Sequence, residues 1–404
     1  MNLSIPPLDR FDIVSPEARA NIHLRYKEMR AVGPVHRFTD PFSGKASWLV
    51  LSYEGSVEVL RDTSTFIRDK RALPGAKPSG PQPRGLELIT HDMVHRDPPE
   101  HTRLRRLVNR AFSSRIVETL RDRARTIVAE IIETLDGRDD FDLILDFATP
   151  LPIRLICEML GVPKSVEPQL AGWGADVIAD SLPRMLGAAN GLRDLIDPYI
   201  DTLEKNSNDT LLSRLVHART DNGERLSRVE LHSMMLLLFL SGHETTVNLL
   251  SNCFLTIDER PQLRTQLLAD PRAYAPMLEE VLRFDGAADL ASVRFARIPT
   301  ELHGHSLAVG DQVFVSLLAA NRDPEAFPDP DTFDIERDNR THIAFGAGVH
   351  SCLGTRLSRM EVFEAITALL RRRPDITTAV PKSELIWKPS RMMHGVTTLP
   401  VRGH

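Results

Sequence analysis

Apolar residues recur at three- and four-residue steps over long stretches of this chain, as in Arg115 to Leu135 and Glu230 to Leu255. This is the spacing of helices with one buried face. Ser227 and Glu230 form a capping box ahead of the second stretch, and the run reaches to about Thr256. A helix on the order of 45 Å long is predicted there, enough to cross a domain. Strand-like alternation is confined to Trp48 to Tyr53 and Val293 to Leu317, which predicts small sheets attached to a helical body. No repeat or low-complexity linker divides the chain, so residues 1–404 are expected to form a single domain. Arg71 to Leu88 is too rich in proline and glycine for a regular element and reads as a long binding loop or lid.

Composition narrows the function classes. The chain is 42% hydrophobic and 26% charged, ordinary values for a globular protein. A net charge of -5, with no arginine-rich block interleaved with aromatics, argues against a nucleic-acid partner. The opening residues lack the basic and apolar regions of a secretory signal, and the longest apolar run, Met234 to Leu240, is far short of a membrane span. A soluble, cytoplasmic protein is expected. Neither a GxSxG elbow nor an HExxH metal motif is present. The 3 cysteines fit neither a disulfide framework nor a zinc site. Cys157 and Cys253 sit among helical apolar residues and are expected to behave as small core hydrophobes. Cys352 stands instead in glycine-rich polar sequence.

Phe345 to Gly354 reads FGAGVHSCLG, in which Phe345, Gly346, Gly348, His350, Cys352 and Gly354 satisfy the pattern FGxGxHxCxG. By average residue usage, a chance match in a chain of this length is on the order of one in a million. Glycines let the backbone turn tightly and approach a flat macrocycle, leaving Cys352 able to present its sulfur. The helical run Leu353 to Arg373 begins just after it, so a helix N-terminus favours thiolate over thiol. A thiolate pushes electron density onto haem iron and favours O–O cleavage. The loop resembles the haem-binding loop of cytochromes P450. That resemblance implies a mainly α cytochrome P450 fold, a large helical body with small β-sheets, and thiolate-ligated haem b with Cys352 as the axial iron ligand.

Further motifs extend the resemblance from about residue 90 to the C-terminus. His101 and Arg105 lie four residues apart on one helical face, where the resemblance implies that both reach the propionates of a buried haem. Arg294 and His350 would complete that clamp. Glu280 and Arg283 form an ExxR pair, which alone is almost meaningless but here resembles the buried ion pair that locks the haem loop. The family often adds an arginine before a phenylalanine; this chain has Thr332 before Phe333, and Arg322 or Arg337 would have to substitute. Within the long helix, SGHETT breaks helix preferences, since Gly242 costs about 1 kcal/mol relative to alanine. It resembles the segment [AG]GxxT, with Ser241 departing from the commoner small residues. By resemblance Gly242 leaves room for dioxygen, Thr245 hydrogen-bonds it and Glu244 relays protons.

These readings imply a monooxygenase that inserts one oxygen atom from O2 into a small, largely apolar substrate by hydroxylation or epoxidation. A haem-thiolate ligand sensor, a peroxide-using enzyme and an oxidative coupling enzyme are the alternatives. No reductase domain or iron–sulfur cysteine set is present, so a separate ferredoxin and its NAD(P)H-dependent reductase are expected. Arg103, Arg106 and Arg110, with Arg356 and Arg359, could form a basic patch for such an acidic partner. Substrate contacts are expected from Ala72 to Met93, from Trp173 to Leu186, and from Leu237, Ser241, Ala288, Asp289, Leu290, Met392, Met393 and His394. Asp289 would either pair with a substrate amine or hydroxyl or lie solvated in a loop. RFDGAADLASVRF and the C-terminal segment resemble, more weakly, bacterial P450s that tailor macrolides and other secondary metabolites.

Overall fold

The computed structural model describes residues 12–41, 43–76, 83–112, 114–178, 181–338 and 341–403. Its axis is the helix Arg228–Asp258, 31 residues and so about 46 Å long. The capping box forms as expected: the Ser227 hydroxyl accepts from the Glu230 N–H at 3.2 Å, and the Glu230 carboxylate accepts from the Ser227 N–H at 2.8 Å. Most residues from Leu231 to Ile257 are buried, which suits a helix enclosed by protein on nearly every side. The helices Pro150–Leu160, Tyr274–Asp285 and Thr355–Arg372 pack around it, and Ser114–Thr134 packs on the outer face of Thr355–Arg372.

The strands are short. One five-stranded sheet runs in the spatial order Val35–Thr39, Ala46–Val50, Gln312–Val315, Arg294–Ala296 and Phe66–Ile67. Only the second and third of these pair in parallel, with Ser47 opposite Gln312. Thr300–Leu302 and His305–Leu307 form a separate hairpin. A three-stranded sheet joins Asp140–Asp142, Pro400–Arg402 and Thr377–Thr378, none of which the alternation pattern had indicated. Strands of two or three residues carry too few positions for a period of two to show.

Cys157 and Cys253 are buried core residues, as expected. Burial pushes the Cys157 thiol up to about 12 and that of Cys253 up as well, so both stay protonated. Among the described residues no helix is long and apolar enough to cross a membrane. In the proline- and glycine-rich segment, Leu86–Thr90 is helical, while residues 77–82 lie outside the described residues. Trp173 to Leu186 runs through the end of helix Glu167–Ile178 and the start of Leu182–Leu203, with residues 179–180 also outside the description.

Candidate active site

The cysteine loop is pinned by its own backbone. Gly346 donates its N–H to the Ile343 carbonyl at 2.8 Å, and Cys352 donates to Phe345 at 2.8 Å. Gly346 and Gly348 have φ of 72° and 73°, the left-handed region that favours glycine. At Gly348 a Cβ would lie 2.4 Å from the Leu60 carbonyl oxygen, so this glycine serves close packing against the helix Tyr53–Arg61. Gly354 caps the following helix, which starts at Thr355 rather than Leu353. Cys352 is open to an interior cavity although protein surrounds it. Burial pushes its thiol up, opposed by the Gly354 N–H, the Thr355 hydroxyl and the cations Arg105 and Arg359.

The long helix forms another wall of the same cavity. Ser241, Thr245 and Thr246 each donate a hydroxyl proton to the carbonyl four residues earlier, at 2.5, 2.6 and 3.0 Å. With its proton so engaged, the Thr245 hydroxyl keeps lone pairs for a group in the cavity. Gly242 also faces the cavity, and a Cβ there would meet only Ile156 Cδ1, at 3.8 Å. Glu244 does not line it. Its buried carboxylate is held by Lys388 and by Asn248 Nδ2 at 3.4 Å, and Lys388 also donates to Asn248 Oδ1 at 2.8 Å. Thr245 thus lines the same cavity as Cys352, while Glu244, expected to relay protons, is held outside it in an ion pair.

The main cavity has a volume of about 290 Å³, and a second lobe of about 150 Å³ shares Cys352, Ser241, Gly242 and His350 with it. Of the expected substrate contacts, Ser241, Ala288, Leu290, Met392 and Met393 line the main cavity, and Leu237 lines the second lobe. Asp289 lines neither and is fully buried, which corrects both readings of it. Its carboxylate accepts from Arg19, from the Tyr26 hydroxyl at 2.7 Å and from the Ser316 hydroxyl at 2.8 Å. His394 is likewise turned away, its ring stacked on Trp387.

One edge of the cavity is strongly cationic. The rings of His101 and His350 approach to 4.3 Å between centroids, and both ring nitrogens of His101 and the Nε2 of His350 lack hydrogen-bond partners among the described residues. Arg294 donates to the carbonyl and hydroxyl of Ser292 and pairs with no carboxylate among the described residues. Burial, with Arg68 nearby, pulls its guanidinium down to about 9. His350 falls to about 2 through burial and the charges of Arg294, His101, Arg68 and Arg105. Such a cluster lacks anions rather than cations. Two carboxylates on an otherwise apolar plate, with a metal above the cysteine, would satisfy it, so the donor set fits haem. Arg68, buried with its side chain anchored on the Val94 carbonyl at 2.9 Å, belongs to this edge and was missed. In sequence it is only an arginine after a two-residue strand.

Behind the loop, Arg283 holds Glu280 through two hydrogen bonds of 2.8 and 2.7 Å, both side chains fully buried. Arg283 also donates to the carbonyls of Asn321, Pro330 and Thr332. Glu280 accepts further from the Asp334 N–H at 2.9 Å and from Arg337 at 3.4 Å. Arg337 is thus the substitute for the arginine missing before Phe333, while Arg322 bonds Phe284 and Asp331 instead. His23, Asp285 and His394 are the group among the described residues whose spacing could suit a metal. Asp285 sits 2.6 and 2.9 Å from the two histidines, and these are hydrogen-bond lengths. This cluster ties the N-terminal helices to the lock, away from the cavity.

Several of the arginines expected to form a basic patch are ion-paired. Arg103 pairs with Glu230, Arg110 with Asp221, and Arg359 with Glu279 at 2.5 Å.

The sequence matches a cytochrome P450 family model over residues 275–373. Along 402 residues it is 37% identical to the cytochrome P450 monooxygenase PikC of Streptomyces venezuelae, covering 98% of this chain and 94% of the relative. It is 32% identical to 6-deoxyerythronolide B hydroxylase of Saccharopolyspora erythraea, covering 97% and 98%. Among solved structures, myxobacterial CYP267B1 in complex with myristic acid superposes with a TM-score of 0.89 at 36% identity, covering 97% and 98%. The ligand-free P450 monooxygenase TamI superposes at 0.87 and 34% identity, covering 99% and 94%.

Proposed function

The chain belongs to the cytochrome P450 family, and from that premise we propose that its haem is held by the Cys352 thiolate and anchored at its carboxylates by His101, Arg105, Arg294 and His350, with Arg68 beside them. The chain is a haem-dependent monooxygenase closely related to macrolide- and polyketide-tailoring members of the family. Residues 1–404 act as one catalytic domain. The observation that carries the site assignment is the juxtaposition of Cys352, Thr245 and an anion-starved edge around a single apolar cavity.

Haem bound here supplies oxygen activation, and the thiolate favours cleavage of the O–O bond. The protein supplies position and protons. Thr245 offers its oxygen as a hydrogen-bond acceptor at the cavity wall, and Gly242 keeps that wall free of a side chain. Glu244 delivers protons to the neighbourhood of Thr245 after releasing Lys388. Phe345 and Gly346 shape the wall on the cysteine side. Ser241, Ala288, Leu290, Met392 and Met393, with Leu237 in the second lobe, give the substrate an apolar surface with few polar groups, suited to a macrolide-like or other largely hydrocarbon skeleton. Electrons come from a separate ferredoxin and its NAD(P)H-dependent reductase.

A panel of macrolactones, fatty acids and steroids, screened for a shift of the haem spectrum, identifies binders. The best binder is then turned over with ferredoxin, reductase and NADPH. Thr245→Ala is expected to divert several-fold more reducing equivalents to peroxide than the wild type. Unchanged coupling of electrons to product would remove Thr245 from the site.

A further inference from the structure

Ala288 and Leu290 on one stretch of chain, and Met392 and Met393 on another, form adjoining parts of the cavity wall. Backbone bonds lace the two stretches together. Asp289 donates its N–H to the Met392 carbonyl at 2.8 Å, His394 donates to Ala287 at 2.8 Å, and Leu290 donates to Arg391 at 3.3 Å. Ala288 and Met393 meet in an isolated bridge rather than a continuous ladder, so this pairing alone leaves the tilt of one stretch on the other adjustable. Asp289, between two lining residues, turns its side chain away from the cavity and meets Arg19 there. Arg19 lies on the short helix Pro16–Ala20 and is fully buried. One of its terminal nitrogens donates to the Asp289 carboxylate, and the other donates to the Met393 carbonyl at 3.0 Å and lies 3.4 Å from His394 Nδ1. A single guanidinium thus spans both wall stretches from behind.

We propose that Arg19 is a positioning residue for substrate specificity: without lining the cavity, it seats the Met392–Met393 stretch against the stretch around Asp289 and so sets the shape of the wall that a substrate meets. The inference rests on the reading of this cavity as the haem and substrate chamber given above. The planar fork of arginine suits the task, because its terminal nitrogens present donors at a fixed angle, one for each stretch, whereas lysine offers a single point of charge. Asp289 is built to keep the fork in place. Its carboxylate also accepts from the Tyr26 hydroxyl at 2.7 Å and the Ser316 hydroxyl at 2.8 Å, so the charge that Arg19 meets is itself immobile. The loop that carries Met392 and Met393 has holds of its own. The Ser390 hydroxyl accepts from the N–H groups of both methionines, at 3.3 and 3.1 Å, and Asp40 pairs with Arg391. A change at Arg19 therefore leaves the loop folded and alters how it sits on its neighbour.

The test compares two nitrogen ligands of the ferric haem by the Soret shift each produces. Imidazole reads access to the iron, while 1-octylimidazole adds an apolar chain that must lie along the cavity wall. The ratio of their affinities is measured on the haem-loaded wild type and on Arg19→Met, Arg19→Lys and Tyr26→Phe. Arg19→Lys keeps a charge beside Asp289 but loses the fork. Like Arg19→Met, it is expected to bind 1-octylimidazole about tenfold more weakly with imidazole affinity unchanged, the scale of one methylene-sized misfit in an apolar pocket. Tyr26→Phe removes a different bond to Asp289 and leaves the bridge intact, so it is expected to keep the wild-type ratio. A wild-type ratio in Arg19→Lys, or an equal loss for both ligands, overturns the proposal. So does a Tyr26→Phe ratio that falls as far as that of Arg19→Lys, because any loosening of the N-terminal helices would then be enough. If Arg19→Met does not load haem, Arg19→Lys decides the matter by the same criteria. A wild type that gives no Soret shift with imidazole would instead condemn the reading of the cavity on which the proposal rests.

Discussion

Two clusters of buried charge lie in this fold, one at the lock and one at the cavity edge, and they obey opposite rules. At the lock, Arg283 meets two carboxylate oxygens and three carbonyls, and Glu280 collects four donors counting both bonds from Arg283. At the cavity edge, among the described residues, Arg294 has only Ser292, and His101 has no hydrogen-bond partner at either nitrogen. Burying an unpaired charge is costly, so the first cluster is complete in itself while the second makes physical sense only with an anion added. A saturated cluster marks structure, and a starved one marks a ligand.

The comparison can be broken most sharply at the lock. Arg283→Ala leaves Glu280 buried without its main partner and is expected to destabilise the fold by about 3–5 kcal/mol, read by thermal unfolding of the apoprotein. A loss under about 1 kcal/mol would mean that the lock is not structural. The cluster of His23, Asp285 and His394 gives a second, smaller effect. Burial, with Arg322 nearby, pushes His23 from 6.5 to about 3, against the opposing pull of Asp285. The folded state then binds fewer protons than the unfolded chain between these values, so stability falls as pH drops through that window. His23→Gln is expected to flatten this acid limb by about 2 kcal/mol, measured by urea unfolding at neutral and mildly acidic pH.

The starved edge responds with a change of sign. Arg294→Met removes a buried, unanswered charge, so the apoprotein is expected to be no less stable than wild type. Haem affinity is expected to fall roughly tenfold, about 1.5 kcal/mol for one charged hydrogen bond. Haem titration and apoprotein unfolding on the same variant separate the two. Equal destabilisation of both forms would place Arg294 with the lock and erase the distinction.

The features that sequence reveals here are local ones. The Ser227–Glu230 capping box, the long helix and the glycine-rich loop around Cys352 are written in neighbouring residues, and each forms where expected. What was misread depends on partners far along the chain. Asp289 looks like a loop carboxylate until Arg19, 270 residues earlier, reaches it. Arg103, Arg110 and Arg359 look like a patch until Glu230, Asp221 and Glu279 fold against them. Arg322 and Arg337 are equally placed in sequence to complete the lock, and only packing brings Arg337 to Glu280. Arg68 follows a two-residue strand, with nothing nearby to distinguish it from a surface arginine.

The central claim is that Cys352 binds the haem iron through a thiolate, and the ferrous carbon monoxide difference spectrum tests it most directly. The wild type, and a Cys157→Ser/Cys253→Ser variant, are expected to give the long-wavelength Soret band of a thiolate–haem adduct, and Cys352→His is expected to lose it. A wild-type band of the nitrogen-ligated type, or an unchanged band in Cys352→His, would contradict the account.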